Sequence, residues 1–213
     1  MAAMPSRSCR SDRGHGRSHG KGLARQQHLF DRHSVCRGYF LRHAADRSRW
    51  RSDASWPNMA CVEFPRSHAL RRGRWSESGR VYLVTLVAAG RRAHFTRWEA
   101  ASLVSRCLAD PLAWHDSTLL CWVLMPDHWH GLVQLGVNES LSRNVGRAKA
   151  SVSRAWPRDP GGKGSPWQSG FHDRALRADE QLLAAARYVV ANPLRAGLAR
   201  RLGDYPFWNA IWL

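Results

Sequence analysis

Two histidines separated by one tryptophan are the clearest candidates for chemistry in this 213-residue sequence. His128 and His130 lie in LMPDHWHGLVQL, where a Pro-Asp corner is followed by residues that predict a strand. Because side chains alternate along a strand, the two imidazoles project from one face, and Trp129 projects from the other. Two imidazoles at this spacing can bind one divalent cation. The alternative interpretation is a structural or solvent-facing pair.

Tyr188 is the second candidate, because it stands apart from the apolar side of its helix. On a helical wheel, the core stripe of EQLLAAARYVVAN comprises Leu182, Leu183, Ala186, Val189 and Val190. Tyr188 falls outside that arc, one turn before Asn192. A phenol can act as a covalent nucleophile when a metal or base assists it, and an amide oxygen can bind a hard cation. Alternatively, Tyr188 is a surface residue, and Asn192 stops the helix before Pro193.

The elements that must position these residues follow residue 58. Buried strands are predicted for VYLVTLVAA (81–89), STLLCWVLM (117–125) and HWHGLVQL (128–135). Thr96 and Glu99 fit a capping box, which predicts a helix of about four turns.

The second half of the chain is also predicted to contain both helices and a strand. LSRNVGRAKASVSRAW (141–156) predicts an amphipathic helix, and WQSGFHDRAL (167–176) predicts a short strand. Asp179 is a plausible N-cap for the last helix, which Pro193 ends. This order predicts an α+β fold, a ferredoxin-like antiparallel sheet with helices packed on one face.

Charge and composition favour a nucleic acid partner. The formal net charge is +17, from 33 basic and 16 acidic residues, and neutralising phosphates releases condensed counterions. Residues 1–58 are rich in Arg, Ser and His and show no sustained period, which predicts a disordered basic extension. A misassigned start is the other interpretation, with translation beginning near Met59 and one domain spanning 59–213.

Other classes of protein fit less well. The five cysteines form no CxxC pair and no zinc spacing, which is typical of free thiols in a reducing compartment. No segment approaches the roughly 20 apolar residues that cross a bilayer, and the N-terminus has no apolar signal core. We therefore expect a cytoplasmic, nucleoid-associated protein without a membrane partner.

Several motifs, in this order, resemble one known family. They are LRRGRWSESGRVYLVT, WVLMPDHWHGLVQL, WQSGFHDRALR, ARYVVANPLRAGL and GDYPFWNAIWL. Together they resemble the REP-associated tyrosine transposases, a group of single-tyrosine HUH transposases, over residues 65–213. In the HUH motif, U is a bulky hydrophobic residue, and here the motif is His128-Trp129-His130.

The resemblance implies metal-dependent cleavage and joining of single-stranded DNA. His128 and His130 would hold Mg²⁺ or Mn²⁺ against the scissile phosphate, with Asn192 as a third ligand. Tyr188 would attack the phosphorus, form a 5′-phosphotyrosine and free a 3′-OH. The implied substrates are repetitive extragenic palindromic hairpins, and the enzyme would act as a monomer or a homodimer.

Basic side chains near these motifs are candidate DNA ligands. They are Arg71, Arg72, Arg74, Arg147, Lys149, Arg154, His172 and Arg174. The first three surround Gly73 before the first strand and could grip phosphates or read base edges. The alternative for the arginines and the lysine before the first strand and on the middle helix is a solvated basic surface, and the alternative for His172 and Arg174 is contact with the metal site.

Two other functions remain open at this stage. One is a non-catalytic regulator that binds DNA hairpins on the same fold. The other is an RNA-binding protein, which would need exposed aromatic residues on its sheet, and VYLVTLVAA offers only Tyr82. The presence of both histidines and Tyr188 favours the enzyme.

Overall fold

A five-stranded antiparallel sheet forms the centre of the fold. The computed structural model describes residues 76–157, 164–176 and 179–212, with only the backbone of Asp179 and Glu180. Strand order in the sheet is β4-β1-β3-β2-β5. The strands are β1 Val81–Val87, β2 Thr118–Leu124, β3 His128–Gln134, β4 His172–Ala175 and β5 Trp208–Ala210. The helices are α1 Trp98–Ala109, α2 Leu141–Ala155, α3 Asp179–Val190 and the short α4 Asn192–Arg195.

The two faces of the sheet have different covers. The tryptophan face carries Trp129, whose ring stacks on Trp114 at 5.6 Å, and the Trp114 Nε1–H donates to the carbonyl of Leu108 in α1. The histidine face carries His130, Leu132 and their cross-strand partners. Helix α3 contacts β2, β3 and β5. Because α1 and Trp114 occupy the tryptophan face, α3 covers the histidine face, where Leu132 is fully buried.

The predicted α+β class with an antiparallel sheet is confirmed, and each predicted strand and helix is present, although β4 begins at His172, five residues after the start of the predicted segment 167–176. The expectation that the helices pack on one face holds for α1 and α2, which contact each other, but not for α3, which lies on the other face. The sequence did not predict β5, which pairs with β2 through Cys121 and Ala210. The division at residue 58 lies outside the described residues.

Two local predictions were wrong. Helix α1 begins at Trp98 with Arg97 at the N-cap and no side-chain cap, because the Thr96 hydroxyl donates to the carbonyl of Ala93 instead. Leu183 was placed in the core stripe of α3, but its side chain is 50 % exposed, whereas Ala186, Val189 and Val190 are buried. The stripe is therefore narrower than the wheel suggested.

Gly131 is required where the Trp129 indole folds back along β3. A Cβ at this position would lie 2.1 Å from Cη2 of Trp129, and the ring cannot move because it is buried against Trp114. Gly131→Ala is therefore expected to lower the free energy of unfolding by about 3 kcal/mol.

Gly146 provides the matched control, because it lies inside α2 with no atom within 4 Å of an added Cβ. Gly146→Ala should raise the free energy of unfolding by about 0.5–1 kcal/mol. Urea unfolding of both variants measures the difference. Equal stability of Gly131→Ala and the wild type would show that the indole does not occupy this place.

Candidate active site

A tight hairpin brings the two histidines to the end of the sheet. The amide of Met125 donates to the carbonyl of His128 at 2.7 Å, which closes the turn through Pro126 and Asp127. Strand β3 then places the two imidazoles on the same face, with ring centroids 4.6 Å apart and planes inclined at 76°. The prediction that the two imidazoles project from one face of the strand therefore agrees with the structure.

Each imidazole is oriented through its Nδ1 atom. Nδ1 of His128 lies 2.6 Å from Oδ1 of Asp127, and Nδ1 of His130 lies 2.8 Å from the hydroxyl of Thr85 on β1. A carboxylate only accepts, so Asp127 selects the His128 tautomer that keeps its lone pair on Nε2. Both Nε2 atoms lack a hydrogen bond from the part of the protein that the structure describes, so they are the available donor atoms for a ligand.

Burial keeps His130 neutral. Desolvation, helped by the positive charge of His128, lowers the pKa of His130 from 6.5 to about 3. Burial raises the pKa of Asp127, but the hydrogen bond and charge of His128 outweigh that effect and hold the pKa below its usual value. At neutral pH His130 is therefore a neutral imidazole, the state in which histidine binds metals. Its neighbour His128 is held by the carboxylate of Asp127.

The depressed pKa of His130 predicts acid sensitivity of the metal-free fold. The unfolded chain takes up the proton near pH 6.5 and the folded chain only near pH 3, so the stability contribution is full above pH 6.5 and is lost as pH falls. Between pH 7 and pH 5, His130 should cost about 2 kcal/mol of unfolding free energy. The difference in pH slope between wild type and His130→Gln, measured by urea unfolding with EDTA, isolates this term. Parallel slopes would contradict it.

Tyr188 is the exposed tyrosine of the three that the structure describes. Its side chain is 46 % exposed on α3, as its position off the core stripe predicted, whereas Tyr82 and Tyr205 are 4 % and 3 % exposed. Burial also raises the pKa of Tyr205 far above the usual value. Helix α3 contacts the histidine strand β3. Among the described residues, no hydrogen bond joins the Tyr188 hydroxyl to either histidine.

Asn192 lies one turn beyond Tyr188 and serves the helix end. Its Nδ2 donates to the carbonyls of Tyr188 at 3.0 Å and Val189 at 3.2 Å. Pro193 follows it at the start of α4. These hydrogen bonds engage the amide nitrogen and leave Oδ1 as the atom for a cation. The role of Asn192 as a third metal ligand stays a prediction.

The predicted DNA ligands on α2 have different surroundings. Arg147 forms an ion pair with Glu139. Lys149 donates from Nζ to the carbonyls of Gln168 and Gly170, both at 2.7 Å, and so ties α2 to the segment before β4. Arg154 is exposed near the end of the helix. Of the three, Arg154 has the side chain most open to a nucleic acid.

His172 and Arg174 share the histidine face on edge strand β4. His172 pairs with Thr85, which in turn pairs with His130, so the three form one cross-strand row. Arg174 is exposed in the next row. The structure thus brings both residues to the sheet face that carries the histidines. Arg71, Arg72 and Arg74 lie outside the described residues.

The donor set fits a metal site that a substrate would complete. Imidazole Nε2 donors suit a borderline cation such as Mn²⁺, whereas Mg²⁺ prefers oxygen ligands. Within the described ranges, His, Cys, Asp and Glu side chains form no cluster of three or more that could hold a metal ion. The remaining ligands would therefore be oxygens from Asn192, water or a bound phosphate.

Comparison with known proteins decides the family. The family model for IS200-like transposases matches residues 78–192, more than half of the chain. The chain is an IS200-like transposase. This range contains the histidine pair, Tyr188 and Asn192 of the transposase. Among curated proteins, none matches the sequence.

A similar solved structure supports the fold of this transposase. A REP-associated tyrosine transposase bound to a REP hairpin is 20 % identical, with a TM-score of 0.53, covering 70 % of this chain and 82 % of that one. A candidate transposase from Deinococcus radiodurans R1 is 18 % identical, with a TM-score of 0.41, covering 56 % of this chain and 95 % of that one. The family resemblance seen in the motifs is confirmed. In the described part of the transposase, no helix is long and apolar enough to cross a membrane.

Sequence reasoning missed three residues of the site. Asp127 adjoins the first histidine, and an acidic neighbour of a histidine pair could have indicated its role. Thr85 is 45 residues away from His130 in sequence and meets it through strand pairing. Arg195 places its guanidinium carbon 4.5 Å from the centroid of the Tyr188 ring. An Arg seven residues after a tyrosine carries no recognisable signal until the helix path is known.

Proposed function

We propose that this transposase cleaves and rejoins single-stranded DNA at hairpins, using Tyr188 as the nucleophile and a divalent cation held by His128 and His130. The substrates would be repetitive palindromic hairpins like the REP hairpin bound by its structural relative. The observation that carries the proposal is the orientation of both imidazoles through Nδ1. Such an arrangement leaves both Nε2 atoms without a hydrogen bond to a described residue, on one face of the sheet and close to the helix with the exposed tyrosine.

In this reaction the protein would bind the cation, orient the two imidazole rings and provide the nucleophile. His128 and His130 bind and orient the cation, and Asp127 and Thr85 hold their rings. A bound divalent cation would neutralise charge on a nonbridging oxygen of the scissile phosphate. Tyr188 provides the phenol oxygen that attacks the phosphorus from a solvent-accessible position.

The proposed reaction is a transesterification, in which one phosphorus–oxygen bond forms and another breaks. A bond forms between the phenol oxygen of Tyr188 and the phosphorus, and the bond from phosphorus to the 3′ oxygen breaks. The phenol proton goes to solvent, and the leaving 3′ oxygen takes one up to become a hydroxyl. The 5′ end remains linked to Tyr188 as a phosphodiester, so a free 3′-OH can attack it and rejoin a strand without an external energy source.

A net charge of +17 supports binding to the DNA backbone. Arg154, His172 and Arg174 are the candidate phosphate ligands whose placement the structure describes, and Arg174 and His172 share the face of the imidazoles. Arg147 and Lys149 contact other parts of the protein, so their contribution to DNA binding would require those contacts to be shared or exchanged.

A cleavage assay tests the proposal. Single-stranded hairpin oligonucleotides labelled at either the 5′ or the 3′ end are incubated with the protein and Mn²⁺, Mg²⁺ or EDTA, and products are separated on a denaturing gel. The proposal predicts a free 3′-OH fragment and a slow-migrating protein–DNA band that require the metal, with Mn²⁺ the more effective ion. Binding of hairpins without cleavage across a broad panel would favour the non-catalytic regulator.

A further inference from the structure

Arg195 and Tyr188 form a stacked pair on the outer surface of the last helical segment. The chain stays nearly helical across the boundary between α3 and α4, with backbone bonds from Ala191 to Arg187 at 3.0 Å and from Arg195 to Ala191 at 3.1 Å. Residues seven apart therefore lie on the same side, two turns from each other. The Arg195 side chain reaches back and places its guanidinium carbon 4.5 Å from the Tyr188 ring centroid.

The Arg195 guanidinium is available to an anion. Arg195 is exposed, and among the described residues it forms no ion pair with a carboxylate. A planar guanidinium that stacks on an aromatic ring keeps its N–H groups at its edge, where they can bind phosphate oxygens. Arg187, the other arginine near Tyr188 on the same helix, has no ring contact among the described residues.

The ring contact also restricts the nucleophile. An exposed tyrosine samples several rotamers, and a cation on one ring face favours the one that keeps the contact. Correct placement of a reacting group raises the rate by removing the need to order it in each turnover. Asn192 donates to the carbonyls of Tyr188 and Val189 and so stabilises the nearly helical junction that positions Arg195 over the ring.

We propose that Arg195 orients Tyr188 through this stacking contact and binds the phosphate that becomes linked to the phenol oxygen. This inference rests on the proposed function of Tyr188. Arg195 then serves in both directions of the reaction, because the phosphodiester on Tyr188 keeps its negative charge until the 3′-OH attacks it. The role needs both the charge and the planar shape, so lysine should replace arginine only in part.

Single-turnover formation of the protein–DNA adduct with saturating hairpin and Mn²⁺ tests the chemical role. Arg195→Ala should slow adduct formation by about 100-fold, the usual effect of removing one charge-stabilising donor. Arg195→Lys should recover a part of the loss. Arg200→Ala, at an exposed arginine five residues further along the chain, is the matched control and should react at the wild-type rate. A rate for Arg195→Ala within about threefold of wild type would overturn the role.

Fluorine NMR tests the contact without any activity. In protein labelled with 3-fluorotyrosine and free of DNA and metal, the Tyr188 resonance is assigned from its loss in Tyr188→Phe. It should move in Arg195→Ala and stay in Arg200→Ala, and an unmoved resonance in both would overturn the contact. If wild type forms no adduct with any hairpin, the proposed function fails first and the inference fails with it, whereas a reactive wild type with a reactive Arg195→Ala refutes the inference alone.

Discussion

Replacing Tyr188 with phenylalanine is expected to remove DNA cleavage and adduct formation, by at least about 10⁴-fold, because the variant has no atom to form the covalent bond. Hairpin affinity should stay within about twofold, since the charge is unchanged. The fold should also be retained, because nearly half of the side chain is exposed and its hydroxyl has no hydrogen bond to another described residue. Single-turnover cleavage and fluorescence anisotropy measure the two properties on one protein preparation.

Tyr82→Phe is the matched control for that experiment. The Tyr82 hydroxyl accepts from the amide of Glu77 at 2.9 Å on the opposite face of the sheet. Its loss should cost about 1 kcal/mol of unfolding free energy and leave cleavage unchanged. Cleavage by Tyr188→Phe at a tenth of the wild-type rate or more would contradict the assignment of the nucleophile.

Removing His130 is expected to weaken Mn²⁺ binding by more than about 100-fold, because one of two nitrogen donors is lost. Asp127→Asn should weaken it by about 10–100-fold, since the neutral amide no longer accepts the Nδ1 proton of His128 as a carboxylate does. Electron paramagnetic resonance of free Mn²⁺ gives the affinity without any DNA, so the result does not depend on catalysis.

His115 supplies the control for the metal experiment. It is half exposed, in a turn with φ of 56°, a conformation that asparagine tolerates. His115→Asn should bind Mn²⁺ as the wild type does. Equal affinity of His130→Ala and His115→Asn would show that the histidine pair is structural, which is the interpretation that the sequence alone left open.

The periodic features of the sequence predicted most of the fold. Alternation in HWHGLVQL correctly placed both imidazoles on one face. Successive side chains of a strand point to opposite faces, so burial of Trp129 on one face puts both histidines on the other. The helical wheel likewise placed Tyr188 outside the core, and the structure leaves it exposed. These are properties of single elements, which depend on neighbours in sequence.

Features that depend on distant residues were not predicted. The β5 strand has only three residues and takes its conformation from pairing with β2. Thr85 meets His130 through the register of β1 against β3, and Lys149 reaches two carbonyls about 20 residues away. The capping box failed because the hydroxyl of Thr96 had a competing local acceptor. The contact between Thr85 and His130, which orients one of the two imidazoles, is likewise a contact between residues far apart in sequence.

The stacked pair of Arg195 and Tyr188 depends both on helical periodicity and on the path of the backbone after α3. A wheel could place both residues on one side of a continuous helix, but the sequence predicted that Pro193 ends the helix. The structure retains a nearly helical path through Asn192 and Pro193, and this path brings the guanidinium onto the ring. A proline in the first turn of a new helical segment is compatible with that path, because its missing N–H would have had no partner there.

Mass spectrometry of the protein–DNA adduct is the most direct test of Tyr188 as the nucleophile. The wild type is incubated with a hairpin oligonucleotide and Mn²⁺, the adduct is digested with nuclease and trypsin, and the nucleotide-bearing peptide is sequenced. Cleavage after Arg187 and Arg195 would release the peptide 188–195. We expect a 5′-nucleotide on Tyr188 in that peptide or in a longer one that contains it. A nucleotide on Tyr205, Tyr82 or a residue other than tyrosine would contradict it.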